Sequence, residues 1–297
     1  MATVVTIDGA PVRPEEAVVS VFDRGFLYGD SVYEVARTYD GVPFELEAHL
    51  ARLESSAERI NMGLPAPRDV LAREVLETHA NSGNIASYLR VVVTRGSGPI
   101  GLDIALAQSQ RRIVIAKDVA EVAPPPEVYT EGVEVALVSV RRNLRTAIDP
   151  RAKTGNYLNS VMALAEARER GAYEAVMLDH RDYVTEGASS NVFVVVDDTL
   201  LTPPLDAGIL EGVTRAVVLK VARSIGVKVL QVPLTADMLT AGSEVFITSS
   251  VREIVPVVRV DGERLGDGRP GPVHGAIREG FDAYVRSYVE SFNPPGA

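Results

Sequence analysis

The sequence predicts a two-domain protein of mixed α+β or α/β structure. At 297 residues and 46% hydrophobic content, the chain can build two cores of moderate size. Strand-like and helix-like segments follow one another without a regular β-α-β rhythm, and three prolines at 124–126 interrupt them. We therefore predict a small N-terminal α+β domain at 1–120, a linker at 121–131 and a large C-terminal domain at 132–297.

The N-terminal region combines apolar runs of strand length with two longer amphipathic stretches. Leu46, Leu50, Leu53 and Ala57 recur at helical spacing and predict one buried helix face. In chain order, the expected elements are strands 3–7, 18–22 and 31–39, helices 45–60 and 68–81, and strands 87–94 and 112–117.

The C-terminal region shows the same mixture. Gly171 and Gly226 follow two predicted helices, which is typical of helix C-termini. In chain order, the expected elements are strand 133–140, helix 157–170, strands 174–178 and 191–196, helix 212–225, strands 244–248 and 254–260, and helix 273–288.

Composition excludes several classes of function. The net charge of −10 and the pI near 5.0 oppose general binding to nucleic acids, which requires a basic surface. The absence of cysteine excludes disulfides, thiolate catalysis and cysteine-ligated metals. The apolar runs are shorter than the roughly 20 residues that cross a bilayer, and the N-terminus does not resemble a signal peptide. We therefore expect a soluble cytoplasmic protein.

Segments 151–159 and 185–193 carry the most chemical information. Lys153 precedes a predicted helix, Gly155 permits an unusual backbone, and Tyr157 provides a phenol four residues on. Glu186 lies between apolar strands, where a buried carboxylate needs a cationic partner. Pyridoxal phosphate requires a lysine that forms a Schiff base and a carboxylate at its pyridinium nitrogen. Lys153 and Glu186 can fill these two roles.

Other segments offer groups that could bind an anion. Val213 and Thr214 begin a predicted helix, whose free amides and threonine hydroxyl could hold a phosphate. Ser249 and Ser250 end a predicted strand and offer hydroxyl and amide donors. By helical spacing alone, Arg52 is expected to be exposed.

Taken in order, these segments resemble the fold-type IV pyridoxal phosphate enzymes, a family of branched-chain aminotransferases, D-amino acid aminotransferases and aminodeoxychorismate lyases. The matching segments are 22–34, the helix that contains Arg52, 153–159, 186–193, 208–215 and 248–257. The resemblance implies a D-amino acid aminotransferase-like fold of two domains with the cofactor between them, and a homodimer or a higher homo-oligomer.

The resemblance also implies a role for each matching residue. Lys153 would form the Schiff base with pyridoxal 5'-phosphate and act as the catalytic base, and Glu186 would pair with the pyridine nitrogen. The other implied cofactor contacts are Arg52, Val213, Thr214 and Ser250 at the phosphate, Tyr157 at the phenolic oxygen, Leu210 against the ring, and Ser249. The implied reaction is ping-pong transamination between an amino acid and a 2-oxo acid such as 2-oxoglutarate.

The substrate depends on which residues hold its carboxylate. Tyr88-Leu89-Arg90 matches a Tyr-x-Arg element of branched-chain aminotransferases, which favours leucine, isoleucine and valine as L-substrates. Thr248-Ser249-Ser250-Val251-Arg252 departs from their Thr-Gly-Thr-Ala-Ala, and Val35 replaces a glycine. A D-amino acid or mixed-specificity aminotransferase, an (R)-amine transaminase and an aminodeoxychorismate lyase therefore stay open. The predicted substrate-binding residues are Tyr33, Tyr88, Arg90, Arg37 and Arg95, with Arg141 as a further candidate.

Overall fold

The computed structural model describes residues 3–292 of the chain, which divides into two compact units. One unit comprises Met1–Ala123, Ala152–Tyr157 and Tyr288–Ala297, and the other comprises Pro124–Arg151 and Leu158–Ser287. The segment around Lys153 therefore groups with the first unit, whereas the sequence places it inside the C-terminal domain. The physical reason is backbone pairing, because the Gly155 amide donates to the Ser31 carbonyl at 2.7 Å.

The first unit is built on a six-stranded antiparallel sheet with two long helices packed against it. Its elements are β1 (Val4–Ile7), β2 (Ala10–Val12), α1 (Arg24–Tyr28), β3 (Ser31–Tyr39), β4 (Val42–Pro43), α2 (Leu46–Arg59), α3 (Arg68–Ser82), β5 (Ser87–Thr94) and β6 (Arg111–Asp118). The strand order is β2-β1-β6-β5-β3-β4.

The alternation of side chains along β3 and β5 separates a core face from a polar face. Val32 and Leu89 point into the core, where the predicted apolar side of α2 packs against them through Leu50 and Leu53. The register pairs Val35 with Arg90 and Arg37 with Tyr88 across the two strands. The sheet therefore presents arginine and tyrosine side chains on the face opposite to the helices.

The second unit is built on a ten-stranded mixed sheet. Its elements are α4 (Glu127–Thr130), β7 (Val133–Leu137), α5 (Leu158–Glu169), β8 (Glu174–Leu178), β9 (Tyr183–Gly187), β10 (Asn191–Val196), β11 (Thr199–Thr202), α6 (Val213–Ser224), β12 (Lys228–Gln231), β13 (Leu234–Thr235), α7 (Ala236–Ala241), β14 (Glu244–Ser249), β15 (Glu253–Val260), β16 (Glu263–Arg264) and the part of α8 (Pro272–Phe292) up to Ser287. The strand order is β12-β11-β10-β14-β15-β7-β8-β9-β13, and β16 pairs with β15.

Hydrophobic strands explain the core of this second sheet. Val192 and Val194 on β10 pack with Val245 and Ile247 on the neighbouring β14, and all four side chains are buried. Strands β7, β8 and β15 pair in parallel, while β10, β14 and β15 pair antiparallel. Valine and isoleucine suit such strands because branched side chains pack well on a pleated surface.

The predicted strand at 18–22 is wrong. These residues form no regular strand, and Val18 and Val21 are 71% and 62% exposed in the chain. Their apolar pattern lacks a neighbouring strand to pair with, so the pattern alone does not produce a sheet. The short helix α4 lies within the predicted linker, and one division between the two units falls in the same segment, between Ala123 and Pro124. None of the helices between residues 3 and 292 combines the length and the apolar character that crossing a membrane requires.

Candidate active site

Lys153 lies on a short segment that is held against strand β3 of the first unit. Thr154 forms an isolated bridge with Val32, and the Tyr33 amide donates to the Lys153 carbonyl at 3.0 Å. A Cβ at Gly155 would lie 2.1 Å from the Ser31 hydroxyl oxygen, so the serine side chain would have to move. Gly155 does not have the positive φ that an unusual backbone would require, and its contribution is instead to allow this close approach.

The amine of Lys153 lies among aromatic groups. Its Nζ donates to the Tyr157 hydroxyl at 3.1 Å and lies 4.5 Å from the centre of the Tyr33 ring. The two tyrosine rings meet edge to face with centres 5.4 Å apart. Burial and the neighbouring Tyr157 raise the pKa of Tyr33, so its hydroxyl stays protonated. The predicted closeness of Lys153 and Tyr157 is thus present in the structure.

The chain has four lysines, and the other three have different surroundings. Lys117 pairs with Glu121 at 2.9 Å, Lys220 lies over the ring of Tyr284, and Lys228 is exposed on β12. A reactive amine needs a sheltered site near other polar groups. Among these lysines, Lys153 has the surroundings that best fit Schiff-base chemistry.

Arg52 is partly buried in the first unit, with 11% of its side-chain surface exposed, contrary to the exposure expected from helical spacing. Its Nε and Nη2 donate to the two carboxylate oxygens of Glu34 at 2.6 and 2.7 Å, and the His49 ring nitrogen Nδ1 lies 2.8 Å from Glu34 Oε2. Burial alone would raise the pKa of Glu34, but Arg52 and His49 outweigh it and lower the pKa from 4.5 to about 2. Burial lowers the pKa of His49, so the imidazole is neutral. The guanidinium of Arg52 is therefore fixed by a buried acid.

The predicted substrate-binding side chains fall into two groups. The Arg90 guanidinium carbon lies 4.1 Å from the centre of the Tyr33 ring, and Arg90 Nη1 donates to the Tyr88 hydroxyl at 3.3 Å. Arg37, on the same strand as Tyr33, lies over the Tyr39 ring instead. Tyr33, Tyr88 and Arg90 therefore form one cluster that also contains the Lys153 amine.

Arg95 has a structural environment. Its Nε donates to Asp30 at 2.7 Å, while Nη1 and Nη2 donate to the carbonyls of Asn61 and Ile60. The side chain is buried, and these contacts tie separate loops of the first unit together. These contacts occupy all three nitrogens of the Arg95 guanidinium and favour a structural role over binding of a substrate carboxylate. Arg141 is likewise paired, with Asp182.

Glu186 is buried on β9 of the second unit and accepts three hydrogen bonds. Arg142 Nε donates to Oε1 at 2.8 Å, and the Leu210 amide and Asn191 Nδ2 donate to Oε2 at 2.8 and 3.3 Å. The predicted cationic partner is thus Arg142, which sequence reasoning missed. A carboxylate has about four lone-pair positions, so Glu186 can accept one further donor.

Helix α6 begins beside this carboxylate. Asn191 Nδ2 donates to the Leu210 carbonyl at 3.0 Å, and a Cβ at Gly212 would lie 2.0 Å from Asn191 Oδ1. The absence of a side chain at Gly212 therefore brings the start of α6 close to β10. Val213 and Thr214 are the first residues of the helix, where backbone amides are not used by the helix itself.

Ser249 is the last residue of β14, and Ser250 begins the turn that leads to β15. The Ser249 hydroxyl accepts a hydrogen bond from Arg252 Nε at 3.1 Å, and Arg252 Nη2 lies 2.8 Å from the buried Glu174 carboxylate. Burial of Arg252 is compensated by this ion pair. Ser250 follows the strand directly and is partly exposed.

These residues fit pyridoxal phosphate in the chemistry of their donors and acceptors. Lys153 provides an amine among aromatic groups, and Glu186 can accept one more hydrogen bond. Arg52 and the start of α6 provide positive charge and free amides, which suit a phosphate. Four partners of this set were not identified from the sequence, namely Glu34, Arg142, Asn191 and Arg252. Glu34, Asn191 and Arg252 lie within segments matched to the family, which is the signal that could have revealed them, whereas Arg142 lies outside those segments.

Comparisons with known proteins agree with this chemistry. Residues 31–260 match the amino-transferase class IV family. A Methanocaldococcus jannaschii protein, which carries the provisional name of a branched-chain-amino-acid aminotransferase, is 39% identical over 93% of this chain and 94% of its own length. The D-alanine aminotransferase of Staphylococcus haemolyticus is 34% identical over 96% of this chain and 99% of its own.

A solved structure is also similar over nearly the whole chain. The branched-chain aminotransferase of the thermophilic archaeon Thermoproteus uzoniensis, solved with norvaline, has a TM-score of 0.89 and 35% identity, and the match covers 98% of this chain and 97% of that chain. The predicted fold class is therefore confirmed. Relatives named for two different substrate classes match over nearly their full length, so overall similarity does not distinguish the substrate of this chain. The side chains of the site provide the evidence on substrate.

Proposed function

The chain belongs to the class IV aminotransferase family and is a transaminase, and we propose that it uses pyridoxal 5'-phosphate to move the amino group of a branched-chain L-amino acid to a 2-oxo acid. The observation that carries the proposal is the cluster in which Lys153 Nζ and the Arg90 guanidinium both lie close to the Tyr33 ring centre, at 4.5 and 4.1 Å. The cluster places the amine of Lys153, which can form a Schiff base, near the guanidinium of Arg90, which can bind a substrate carboxylate.

Lys153 is the proposed catalytic residue. When bound, pyridoxal phosphate supplies an electron sink for the negative charge that develops at the amino acid Cα. Lys153 Nζ would hold the cofactor covalently, and as a free amine it would be the base that takes up and returns the proton of the substrate Cα. Tyr157, 3.1 Å from Nζ, would orient this amine.

Glu186 is the proposed partner of the pyridine nitrogen. Its carboxylate is held by Arg142, Asn191 and the Leu210 amide, and it can accept one more hydrogen bond. At the ring nitrogen, Glu186 would keep that nitrogen protonated, which would favour delocalisation of negative charge into the ring. We assign Leu210 to packing against the ring.

Arg52, Val213, Thr214 and Ser250 are the proposed phosphate ligands. Glu34 fixes the guanidinium of Arg52, and the first amides of α6 together with the Thr214 hydroxyl can donate to phosphate oxygens. The Ser249 hydroxyl already accepts from Arg252, so its proposed contribution is limited to its backbone amide and to the free hydroxyl proton.

Tyr33, Tyr88 and Arg90 are the proposed substrate ligands. Tyr88 accepts a hydrogen bond from Arg90, and stacking on Tyr33 fixes the guanidinium plane. The Tyr-x-Arg element favours a branched-chain aminotransferase. The D-amino acid alternative is favoured by the β14–β15 turn, whose Ser249–Arg252 contact requires residues that differ from Thr-Gly-Thr-Ala-Ala.

Initial rates with single amino donors and 2-oxoglutarate test the proposal. We expect turnover of L-leucine, L-isoleucine and L-valine, and at least a hundredfold lower kcat/KM for D-alanine, an estimate based on about 3 kcal/mol of discrimination. If D-alanine were a substrate and L-leucine were not, the branched-chain assignment would be overturned, while the assignment as a transaminase would stand. Turnover of an (R)-amine alone would favour the (R)-amine alternative.

We infer that the protein acts as a homodimer, as the family resemblance implies. The inference is supported by exposed apolar side chains on α5, where Leu158, Val161 and Met162 are 64%, 58% and 54% exposed. These residues have i, i+3, i+4 spacing and form one helix face, a kind of surface that proteins commonly cover by association.

The mass measured by light scattering tests this inference. Val161→Glu places a charge in the middle of the apolar face and is expected to reduce the measured mass to that of one chain. Glu169→Gln, at the exposed C-terminal end of the same helix, is the control and should leave the mass unchanged. An unchanged mass for Val161→Glu would argue against this face.

A further inference from the structure

Thr248, on β14 of the second unit, carries a buried hydroxyl that has no hydrogen-bond partner among residues 3–292. The residue is 2% exposed, and its Oγ1 is shielded from solvent. Most buried polar groups in proteins are hydrogen-bonded, and an unpaired one destabilises the fold unless a ligand or a water supplies the partner. The unpaired Thr248 hydroxyl therefore points to a missing partner.

Other buried threonines of the same unit differ from Thr248. Thr185 Oγ1 donates to the Met177 carbonyl at 2.8 Å, and Thr202 Oγ1 donates to the Val192 carbonyl at 2.8 Å. Each of these hydroxyls uses a backbone oxygen of its own sheet. These two buried threonines of the sheet thus have hydrogen-bonded hydroxyls, whereas the hydroxyl of Thr248 has no partner among the described residues.

The strand register shows which side of the sheet Thr248 occupies. Thr248 is directly opposite Asn191 in the antiparallel β10–β14 pair. Directly opposed residues of such a pair project to the same face. Asn191 on that face donates to Glu186 and to the Leu210 carbonyl. Thr248 therefore shares a face with the carboxylate proposed to bind the pyridine nitrogen.

We propose that Thr248 is a cofactor-binding residue whose hydroxyl hydrogen-bonds to bound pyridoxal phosphate. The proposal rests on the proposed function, since it takes pyridoxal phosphate as the ligand. The proposed contact comes from β14, next to Ser249 at the end of the same strand. The unpaired hydroxyl destabilises the cofactor-free protein and gains its partner when the cofactor binds.

Thr248→Val tests the proposal because valine has nearly the same shape and lacks the hydroxyl. In the cofactor-free full-length chain, removing an unpaired buried hydroxyl is expected to raise Tm by about 2 °C. With pyridoxal phosphate, the Kd is expected to rise about tenfold because one hydrogen bond is lost. Thr248→Ser restores a hydroxyl and is expected to recover most of the affinity. Scanning calorimetry and absorbance titration give the two values.

Thr202→Val is the matched control, because it removes a threonine hydroxyl that has a partner. Its cofactor-free form should lose stability, and its Kd for pyridoxal phosphate should stay within about twofold of the wild type. We expect Thr248→Val to raise the stability of the cofactor-free protein and to weaken the binding of pyridoxal phosphate. A residue with only a structural role would not show this combination.

An unchanged Kd in Thr248→Val, beside a wild type that binds pyridoxal phosphate, would overturn the inference and leave the proposed function intact. It would assign the missing partner to a buried water. A wild type that fails to bind pyridoxal phosphate at all would overturn both.

Discussion

The Arg52 cluster of the first unit, formed with Glu34 and His49, and the Glu186 cluster of the second unit hold their charged groups in different ways. Around Arg52, the buried Glu34 carboxylate accepts from Arg52 through both oxygens and contacts His49, and its one backbone donor within residues 3–292 is the amide of the next residue, Val35, at 3.3 Å. Around Glu186, a backbone amide 24 residues away in the chain takes part, because the Leu210 amide is one of the three donors. The Arg52 cluster therefore depends mainly on charge balance, and the Glu186 cluster depends equally on chain geometry.

Because of this difference, substitutions in the two clusters should affect different properties, namely stability and catalytic activity. Removing one member of a buried ion pair leaves the other charge uncompensated, which destabilises the fold strongly. Neutralising a carboxylate that is held by several donors leaves much of the local hydrogen bonding in place. Changes at Glu34 should therefore affect stability first, whereas changes at Glu186 should affect chemistry first.

Lys153→Ala is expected to have the largest effect. Without the amine, neither covalent attachment nor proton transfer is possible, and kcat for transamination should fall by about 10⁴-fold or more. Tm of the cofactor-free protein should change little, since the Lys153 side chain makes only one hydrogen bond among the described residues. Lys220→Ala is the control and should retain wild-type rates. A Lys153→Ala variant with normal turnover would contradict the mechanism.

Glu186→Gln is expected to lower kcat by on the order of a hundredfold, because a neutral amide does not keep the ring nitrogen protonated. The Kd for pyridoxal phosphate should rise less than kcat falls, since the phosphate ligands remain. Single-turnover kinetics and cofactor titration separate these quantities. A loss confined to cofactor affinity would show that Glu186 acts in binding alone.

Glu34→Gln is expected to lower the free energy of unfolding by about 3 kcal/mol, since Arg52 and His49 lose a buried charged partner. Urea denaturation measures this value. Glu47→Gln, which removes an exposed partner of Arg68, is the control and should cost less than about 0.5 kcal/mol. Equal losses of stability in the two variants would contradict the claim that the buried Glu34 pair stabilises the fold more than the exposed Glu47 pair.

The acid dependence of stability provides a second test of Glu34. Its pKa in the folded protein is about 2 and its ordinary value is 4.5, so its contribution is complete above pH 4.5 and is lost as the pH falls towards 2. The shift corresponds to about 3 kcal/mol. Between pH 5 and 2, Glu34→Gln should therefore lose stability less steeply than the wild type. Identical slopes would contradict the ion-pair assignment.

Arg90→Met is expected to have the smallest effect. The KM for 2-oxoglutarate should rise about tenfold through loss of one charge-assisted contact, while the cofactor Kd stays unchanged. Arg95→Met is a useful contrast, because Arg95 binds Asp30 and two carbonyls and its loss should reduce stability instead. A higher KM in Arg95→Met at unchanged stability would restore Arg95 as a substrate ligand.

The sequence predicted local features more successfully than long-range partners. The β5 strand was predicted at its observed bounds, and the apolar side of α2 follows from helical spacing. Arg52 was misjudged because spacing reports one helix only, and the acid that pairs with Arg52 lies 18 residues away on β3. Arg142 was missed for the same reason, since Glu186 is 44 residues away in the chain. Such pairs depend on strand register, which periodicity does not reveal.

Reduction of the cofactor-loaded protein with borohydride, followed by peptide mass mapping, tests the central claim most directly. Reduction converts a lysine Schiff base into a stable secondary amine, so the attached lysine retains the pyridoxyl phosphate mass. The chain has only four lysines, at 117, 153, 220 and 228, which makes the assignment unambiguous. We predict modification of Lys153 alone. Modification of another lysine, or none after loading with pyridoxal phosphate, would contradict the account.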